Sequence, residues 1–326
     1  MRIAIIGVGA MGCLLGAGLS AVADVALLGN WPEQLIALRR DGLRLEHPDG
    51  RNSHHALTVT DDPAAIGRVP VALVAVKSRQ TANAARCIEH LLAADGLALT
   101  LQNGLNNDAA LRAVLGRGRV ALGVTSQGAT LIRPGVVRHA GHGPTYIGRD
   151  AALGQAQLAC LPDLAALLGA AGFDTHLVDD TDALVWGKLA VNAAINPLTA
   201  LLHVPNGFLV EHEALLDIMR RTAAEVAAVA AAQGIVLADD AADRAMAVAQ
   251  ATAANRSSML QDVARGAPTE IDAICGAVAR AGAAVGVATP LNTRLCRLVR
   301  QLESGDAPIQ PGDVAGLVAL LNSTER

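Results

Sequence analysis

The sequence predicts an α/β fold in which a parallel sheet covered by helices on both faces precedes an all-helical region. Short apolar runs alternate with helix-like stretches up to about residue 180, and almost no strand signal follows. Alternation of this kind is typical of a doubly wound parallel sheet. A chain of 326 residues is long enough for two cores, so we predict domains over residues 1–179 and 180–326.

The first domain opens with Arg2–Ile6, whose Ile-rich run is typical of a buried parallel strand. Residues 120–148 change character, because β-branched runs and a Pro-Gly pair there indicate antiparallel strands and turns. The other predicted strands are Asp24–Leu28, Pro70–Val76, Leu97–Leu101 and Asp174–Val178. The predicted helices are Met11–Ala21, Pro32–Arg40, Thr81–Ala93, Asn107–Leu115 and Leu158–Ala170.

The second domain contains only helical patterns. We predict helices over Leu184–Leu202, Leu209–Gln233, Ala241–Ala254, Glu270–Ala284 and Leu291–Leu302. Pro197 should end, kink or locally open the first of them, because proline lacks a backbone N–H group.

Composition excludes several classes of function. A net charge of −4 and an aromatic content of 2% argue against nucleic-acid binding. Five scattered cysteines without a CxxC pair predict neither disulfides nor structural zinc, and they fit a cytoplasmic protein. We expect no metal at His139 and His142, since no carboxylate or cysteine lies near them in the sequence. The glycines before Ala23 favour a strand, turn and helix over a leader peptide, and no later segment is apolar enough to span a membrane.

A glycine-rich turn joins the first strand to the first helix. Its residues, Gly7-Val8-Gly9-Ala10-Met11-Gly12, form the pattern GxGxxG. The three glycines allow a tight turn, close approach of a pyrophosphate and close packing of the helix on the strand. Exposed amides at the helix start can then bind phosphates, so the turn predicts dinucleotide binding in a Rossmann-type domain.

Asn30 follows the second strand, where NAD-specific sites usually carry an acid that binds the ribose 2′-hydroxyl. The absence of an acid favours NADP, yet no basic residue for a 2′-phosphate is present at this position either. An asparagine can hydrogen-bond to both cofactors, so NAD is not excluded.

Polar residues also follow two other strands. Lys77 comes after Pro70–Val76, and Gln102-Asn103-Gly104 comes after Leu97–Leu101. Ligands of open α/β sheets bind beyond the carboxyl ends of strands. Lys77 and Asn103 are therefore candidates for contact with a cofactor or substrate, although a surface lysine and an ordinary Asn-Gly turn would also explain them.

The second domain carries a polar stripe on an apolar helix. Lys188, Asn192 and Asn196 are spaced by four residues and share an arc of about 80°. Polar groups that become buried need hydrogen-bonding partners. A substrate carbonyl and hydroxyl would satisfy them, as would a network between helices.

A further cluster runs from Asn255 through Ser258 to Thr269-Glu270. Taken singly, Asn255 or Ser258 could cap a short helix, and Thr269 could cap a helix that begins with Glu270.

In combination, these residues resemble the ketopantoate reductase family. The features that match, in chain order, are the GxGxxG turn, Val-Lys77-Ser, Leu-Gln102-Asn103-Gly104, Lys188-Leu-x-x-Asn192-x-x-x-Asn196-Pro197, Ser257-Ser258-Met-Leu-Gln-Asp262 and Thr269-Glu270-Ile-Asp272. The resemblance implies NADPH-dependent reduction of 2-dehydropantoate, a small 2-oxo acid, to pantoate on the way to pantothenate and coenzyme A. The family often has Arg near Asn30 for the 2′-phosphate, and this chain departs from that pattern.

The resemblance also implies roles for individual residues. Lys188 looks like the general acid and Glu270 like a second catalytic residue. Lys77 would position cofactor and substrate, and Asn103 would contact the reacting carbonyl or the nicotinamide ribose. The predicted substrate-binding set is Asn103, Asn192, Asn196, Asn255 and Ser258.

Other interpretations stay open. A relative with the same motifs could act on another small 2-oxo acid, or the chain could be a non-catalytic NADP(H) sensor. A sensor would have no need of the acid pair at Lys188 and Glu270. A dehydrogenase of the 6-phosphogluconate type would need a basic cluster near Lys188, which the sequence lacks. A homodimer is compatible with the sequence.

Overall fold

The computed structural model describes residues 1–323. They form two compact units, one of residues 1–102 and 106–181 and the other of residues 103–105 and 182 onward. The second unit begins with a helix at Asp182, two residues beyond the predicted boundary. The assignment of Asn103–Leu105 differs from the sequence prediction, which kept these residues with the first domain.

The first unit contains twelve strands and five helices within the described residues. The strands are β1 (Arg2–Ile6), β2 (Asp24–Leu28), β3 (Leu43–Glu46), β4 (Asn52–His55), β5 (Thr58–Thr60), β6 (Val69–Val74), β7 (Leu92–Thr100), β8 (Val120–Thr125), β9 (Gly128–Arg133), β10 (Val136–Gly141), β11 (Thr145–Gly148) and β12 (Thr175–Val178). The helices are α1 (Ala10–Leu19), α2 (Pro32–Asp41), α3 (Thr81–Leu91), α4 (Asn107–Leu115) and α5 (Gln155–Ala170).

Eight of these strands form one sheet in the order β12-β11-β8-β7-β6-β1-β2-β5. All neighbours in it are parallel except β8 and β11. Strand β1 lies inside the sheet and alternates its side chains between two cores: Ile3 and Ile5 face one cluster, whereas Ala4 and Ile6 face the other. Burial on both faces explains why its sequence is a continuous apolar run.

A second sheet, in the order β4-β3-β10-β9, was not anticipated as a separate element. The antiparallel strands predicted within residues 120–148 divide between the two sheets, because β10 pairs with β3 and with β9 whereas β8 and β11 join the large sheet. His139 on β10 contacts Gln127 Oε1 through Nε2 at 2.8 Å, and burial lowers its pKa to about 4. Among residues 1–323, no three His, Cys, Asp or Glu side chains are arranged to hold a metal ion.

The described part of the second unit is helical. Its helices are α6 (Asp182–Leu202), α7 (Glu213–Ala232), α8 (Ala241–Ala251), α9 (Ser258–Ala264), α10 (Cys275–Val285), α11 (Pro290–Glu303) and α12 (Val314–Asn322). Helix α6 supplies much of the core of this unit, including Leu189, Leu198 and Leu201. Within residues 1–323, no helix is both long and apolar enough to cross a bilayer.

Helix α6 continues through Pro197 instead of ending there. Proline cannot donate the bond that the Ala193 carbonyl would otherwise accept four residues earlier. The buried Cys275 thiol lies 4.0 Å from that carbonyl oxygen. Burial raises the pKa of Cys275 well above its usual value, so the thiol stays protonated and can act as a weak donor to the carbonyl.

Candidate cofactor loop and candidate active site

The glycine-rich turn adopts the geometry that its sequence predicts. Gly7 has a φ of 125°, and a Cβ there would lie 2.8 Å from the Ala75 carbonyl carbon. A Cβ on Gly12 would overlap the Gly7 carbonyl oxygen, so helix α1 packs directly against the turn. No atom lies within 4 Å of a Cβ placed on Gly9. The turn is therefore tight where it meets the protein and open at Gly9.

Helix α1 begins at Ala10, and its N–H groups at Ala10, Met11 and Gly12 precede the first helical bond, from Cys13 N to Gly9 O at 2.9 Å. The first amides of a helix point outward and can bind phosphate. Val8, between these glycines, is buried. The residues of the turn therefore fit a dinucleotide pyrophosphate.

Gln34 supports this turn and was missed by sequence reasoning. Its side chain is fully buried, Nε2 donates to the Val8 carbonyl at 3.0 Å, and Oε1 accepts from Gly135 N at 2.9 Å. One amide thus ties the turn to the segment between β9 and β10. Its isolated polarity on the core face of α2 was the only available signal.

Asn30 is exposed just beyond β2. The arginines of helix α2 bind elsewhere, since Arg39 Nη2 lies 2.7 Å from Asp61 Oδ1 and Arg40 Nη2 lies 2.7 Å from Asp41 Oδ2. Both arginines are therefore paired with carboxylates in this structure.

Lys77 lies just after β6 and is half-buried. The backbone beside it is fixed by Gln102, whose Nε2 donates to the Val76 carbonyl at 2.8 Å and to Thr81 Oγ1 at 2.9 Å. Gln102 therefore joins the ends of neighbouring strands β6 and β7. The sequence marked Gln102 as a strand-end residue but not as the link between these strands.

Asn103, Gly104 and Leu105 follow β7 but belong to the helical unit. Leu105 N donates to the Ala273 carbonyl at 3.0 Å. Gly104 has a φ of 84°, and a Cβ there would overlap the same carbonyl oxygen. Glycine is required at this position both for its backbone conformation and for the close approach.

Lys188, Asn192 and Asn196 lie along one face of α6, as predicted from their spacing. Lys188 and Asn192 are half-buried, whereas Asn196 is only 6% exposed. The stripe therefore runs from partial exposure into the core of the helical unit.

Lys188 has the strongest electrostatic perturbation on this face. Burial lowers the pKa of the Lys188 ammonium to about 8, although the Glu270 carboxylate acts in the opposite direction by attracting the charge. Glu270 is 8% exposed. The structure thus couples the two residues that the sequence singled out as an acid pair.

Glu270 lies in a turn, not at the start of a helix as predicted, because α10 begins only at Cys275. Thr269 N donates to Glu303 Oε1 at 2.6 Å, and Thr269 Oγ1 accepts from Ile271 N at 3.1 Å. Ala273 N closes the turn on the Glu270 carbonyl at 3.0 Å. These bonds satisfy the backbone locally and replace the first turn of the expected helix.

Neither Asn255 nor Ser258 takes the capping role that the sequence left open as an alternative for each of them. Ser257 caps α9, since its Oγ accepts from Leu260 N at 3.1 Å, and Ser258 is the first helical residue. Ser257 also accepts a 2.7 Å bond from Thr199, which fixes α9 against α6. Asn255 is exposed and Ser258 is half-buried, so neither side chain is used as the cap.

Comparison with known proteins matches both units to one family. Residues 3–151 match the family model described as ketopantoate reductase PanE/ApbA, and residues 180–303 match that of its C-terminal region. A 2-dehydropantoate 2-reductase of Halobacterium salinarum is 39% identical over 302 residues, covering 92% of this chain and 98% of the relative. One from Archaeoglobus fulgidus is 36% identical, with 93% and 98% coverage.

Comparison with solved structures leads to the same family. A PanE/ApbA family ketopantoate reductase from Ralstonia eutropha JMP134 superposes with a TM-score of 0.84 at 35% identity, covering 94% of this chain and 99% of that one. A D-mandelate dehydrogenase with NADH and anilino(oxo)acetate gives a TM-score of 0.85 at 27% identity, again with 94% and 99% coverage. These matches span nearly the whole chain, and it therefore belongs to the ketopantoate reductase family.

Proposed function

We propose that this protein reduces 2-dehydropantoate to pantoate with NADPH. The observation that carries the proposal is the half-buried Lys188, whose pKa desolvation lowers to about 8 and which interacts electrostatically with Glu270. Asn192 and Asn196 on the same helix face could accept and donate the hydrogen bonds of a 2-oxo acid. A domain that only sensed the cofactor would have no use for this acid pair.

The glycine turn would hold the cofactor. Gly7, Val8, Gly9, Ala10, Met11 and Gly12 would bind its pyrophosphate, with Asn30 near the adenosine ribose and Lys77 and Asn103 toward the nicotinamide end. The open position at Gly9 and the outward amides of α1 support this assignment. When bound, the cofactor would supply the hydride.

Lys188 would act as the general acid. Reduction of a ketone places negative charge on its oxygen, which an ammonium group can stabilise and protonate. A pKa of about 8 leaves Lys188 mostly protonated at neutral pH yet makes it a better acid than an ordinary lysine. Glu270 would keep the ammonium charged and oriented, and Asn103, Asn192, Asn196, Asn255 and Ser258 would bind the substrate.

A second substrate class is favoured by one specific observation. The similarity to D-mandelate dehydrogenase extends over 94% of this chain, so the same architecture accommodates a relative crystallised with an aromatic oxo acid and NADH. Reduction of a different 2-oxo acid, with either cofactor, is therefore the alternative. A homodimer and a cytoplasmic location remain predictions from the sequence.

The test measures the absorbance of the reduced cofactor in the presence of the purified protein. The substrates are 2-dehydropantoate and phenylglyoxylate, and each is assayed with NADPH and with NADH. Faster oxidation of the cofactor with 2-dehydropantoate supports the proposal, and faster oxidation of the cofactor with phenylglyoxylate supports the alternative.

Lys188→Ala should lower kcat by about 100-fold or more while NADPH still binds. Near-normal turnover by that variant would exclude Lys188 as the acid. Cofactor binding without turnover of any 2-oxo acid in a wider panel would leave the sensor hypothesis.

A further inference from the structure

A cationic groove lies between helices α10 and α11 of the helical unit. It has a volume of about 620 Å³ and is lined by nine residues, of which eight lie on these two helices and the ninth, Ser304, follows α11. Pockets of roughly 300–1,000 Å³ are typical of small-molecule sites. None of its lining residues belongs to the set assigned above to the reaction.

Three guanidinium groups line the groove, from Arg280, Arg297 and Arg300. Two of them are partly engaged: Arg280 Nη2 donates to the Asp272 carbonyl at 2.8 Å, and Arg300 Nε donates to Asp272 Oδ1 at 2.7 Å. Within residues 1–323, Arg297 makes no hydrogen bond or ion pair. Its fork of donors is therefore available to a ligand.

Positive charge predominates in this region. The nearby carboxylates are Asp272, which binds Arg300, and Glu303, which accepts the Thr269 N–H. Three cations thus face two carboxylates that already have partners. Guanidinium groups bind phosphate and carboxylate in a bidentate manner, so an anion is the complementary ligand.

The groove is deepened by Gly276. A Cβ there would lie 3.2 Å from Cys296 Sγ and 3.3 Å from Arg280 Nη1, so even a methyl group would crowd the floor. Asp272 Oδ1 lies 3.5 Å from the same position, so the floor beneath the arginines is narrow and combines apolar surface with one carboxylate oxygen. Ser304 and Gln301 add polar groups at one end. Such a groove suits an organic body with one anionic group better than a bare inorganic ion.

We propose that this groove binds a phosphomonoester of about mononucleotide size. Its phosphate would lie across Arg280, Arg297 and Arg300, and its organic part would rest on the Gly276 floor. Arg280 retains free N–H groups in this arrangement, so the ligand need not displace Asp272 from its partners.

Binding of a ligand in the groove should also affect the candidate active site. Arg280 and Arg300 hold Asp272, which lies two residues after Glu270 in the same turn. A phosphate that attracts these two guanidinium groups would displace that turn and so change the position of Glu270. This coupling rests on the proposed function, whereas binding itself does not.

The binding test is isothermal titration calorimetry with AMP as the probe. Saturating NADPH is present so that the glycine turn is already filled, and adenosine and inorganic phosphate are titrated separately. AMP should bind more tightly than either fragment. Arg297→Glu should weaken AMP binding by about tenfold or more, the loss expected for a charged hydrogen bond. Gly276→Val should do the same by filling the floor.

Arg244→Glu is the matched control, because it makes the same charge change on helix α8, outside the groove. If Arg244→Glu and Arg297→Glu weaken AMP binding equally, the effect arises from net charge alone and the proposed site is wrong. Absence of AMP binding would also overturn it. So would a dimer that Arg297→Glu dissociates in size-exclusion chromatography, since a second copy would then cover the groove.

The kinetic arm separates coupling from binding. AMP should change kcat/KM of the wild type but not of Arg297→Glu. Binding with unchanged kinetics would retain the site and refute the coupling. If the protein turns over no 2-oxo acid, calorimetry still decides the site independently.

Discussion

The pH dependence of turnover tests the environment of Lys188 directly. If this lysine donates the proton, activity follows its protonated fraction, which is complete well below the pKa and lost as pH rises through it. With a pKa of about 8, the protonated fraction is about nine-tenths at pH 7 and one-tenth at pH 9. We therefore expect kcat/KM to fall about tenfold over that interval, whereas a lysine at its ordinary pKa would lose only a few per cent.

Glu270→Gln tests the same pKa from the side of its partner, because it removes the carboxylate charge next to Lys188. The carboxylate raises the pKa of Lys188, so its removal should move the alkaline limb of the profile below pH 8. Lys188→Arg should be less active but lack this limb, because guanidinium stays protonated throughout. The profiles require kcat/KM at fixed ionic strength, since this parameter reports the free enzyme. A wild-type limb near pH 10 that Glu270→Gln leaves in place would refute the reasoning.

Three further substitutions test cofactor choice and local structure. Asn30→Arg should tighten NADPH relative to NADH by about tenfold, measured by equilibrium fluorescence, because a guanidinium can bind the 2′-phosphate; an unchanged ratio would place Asn30 away from that group. Ser257→Ala should lower the free energy of unfolding by about 1–2 kcal/mol in denaturant titrations, whereas Ser258→Ala should change it by no more than about 0.5 kcal/mol; equal losses would contradict the cap assignment. Gly104→Ala should lower Tm more than Gly116→Ala, because both glycines have positive φ but only Gly104 lacks space for a Cβ; equal shifts would mean that backbone strain alone is responsible.

The sequence was most informative where local pattern determines structure. The β1 and β2 boundaries were predicted to the residue, because short parallel strands buried on both faces are uniformly apolar. The spacing of Lys188, Asn192 and Asn196 correctly placed them on one helix face. The glycine turn was recognised in full, since its geometry depends on the absence of side chains at fixed positions.

Features that depend on distant partners escaped prediction. Residues 270–274 have helical character, yet the Glu303 carboxylate binds the Thr269 amide and the Thr269 hydroxyl binds the Ile271 amide. The helix therefore starts only at Cys275. The buried Gln34 bonds to Gly135, about a hundred residues away, so its partner could not be inferred from the sequence around α2.

The assignment of Asn103–Leu105 to the helical unit has a consequence for how members of the family can be recombined. That unit is not one continuous stretch of chain, because three of its residues are supplied from within the first unit. A fragment starting at residue 182 would leave the Ala273 carbonyl without its Leu105 donor. A chimera joined at residue 181 would combine Gly104 from one parent with the facing turn of the other. Functional crossovers should therefore inherit residues 103–105 and 270–274 from the same parent, even though about 165 positions separate them.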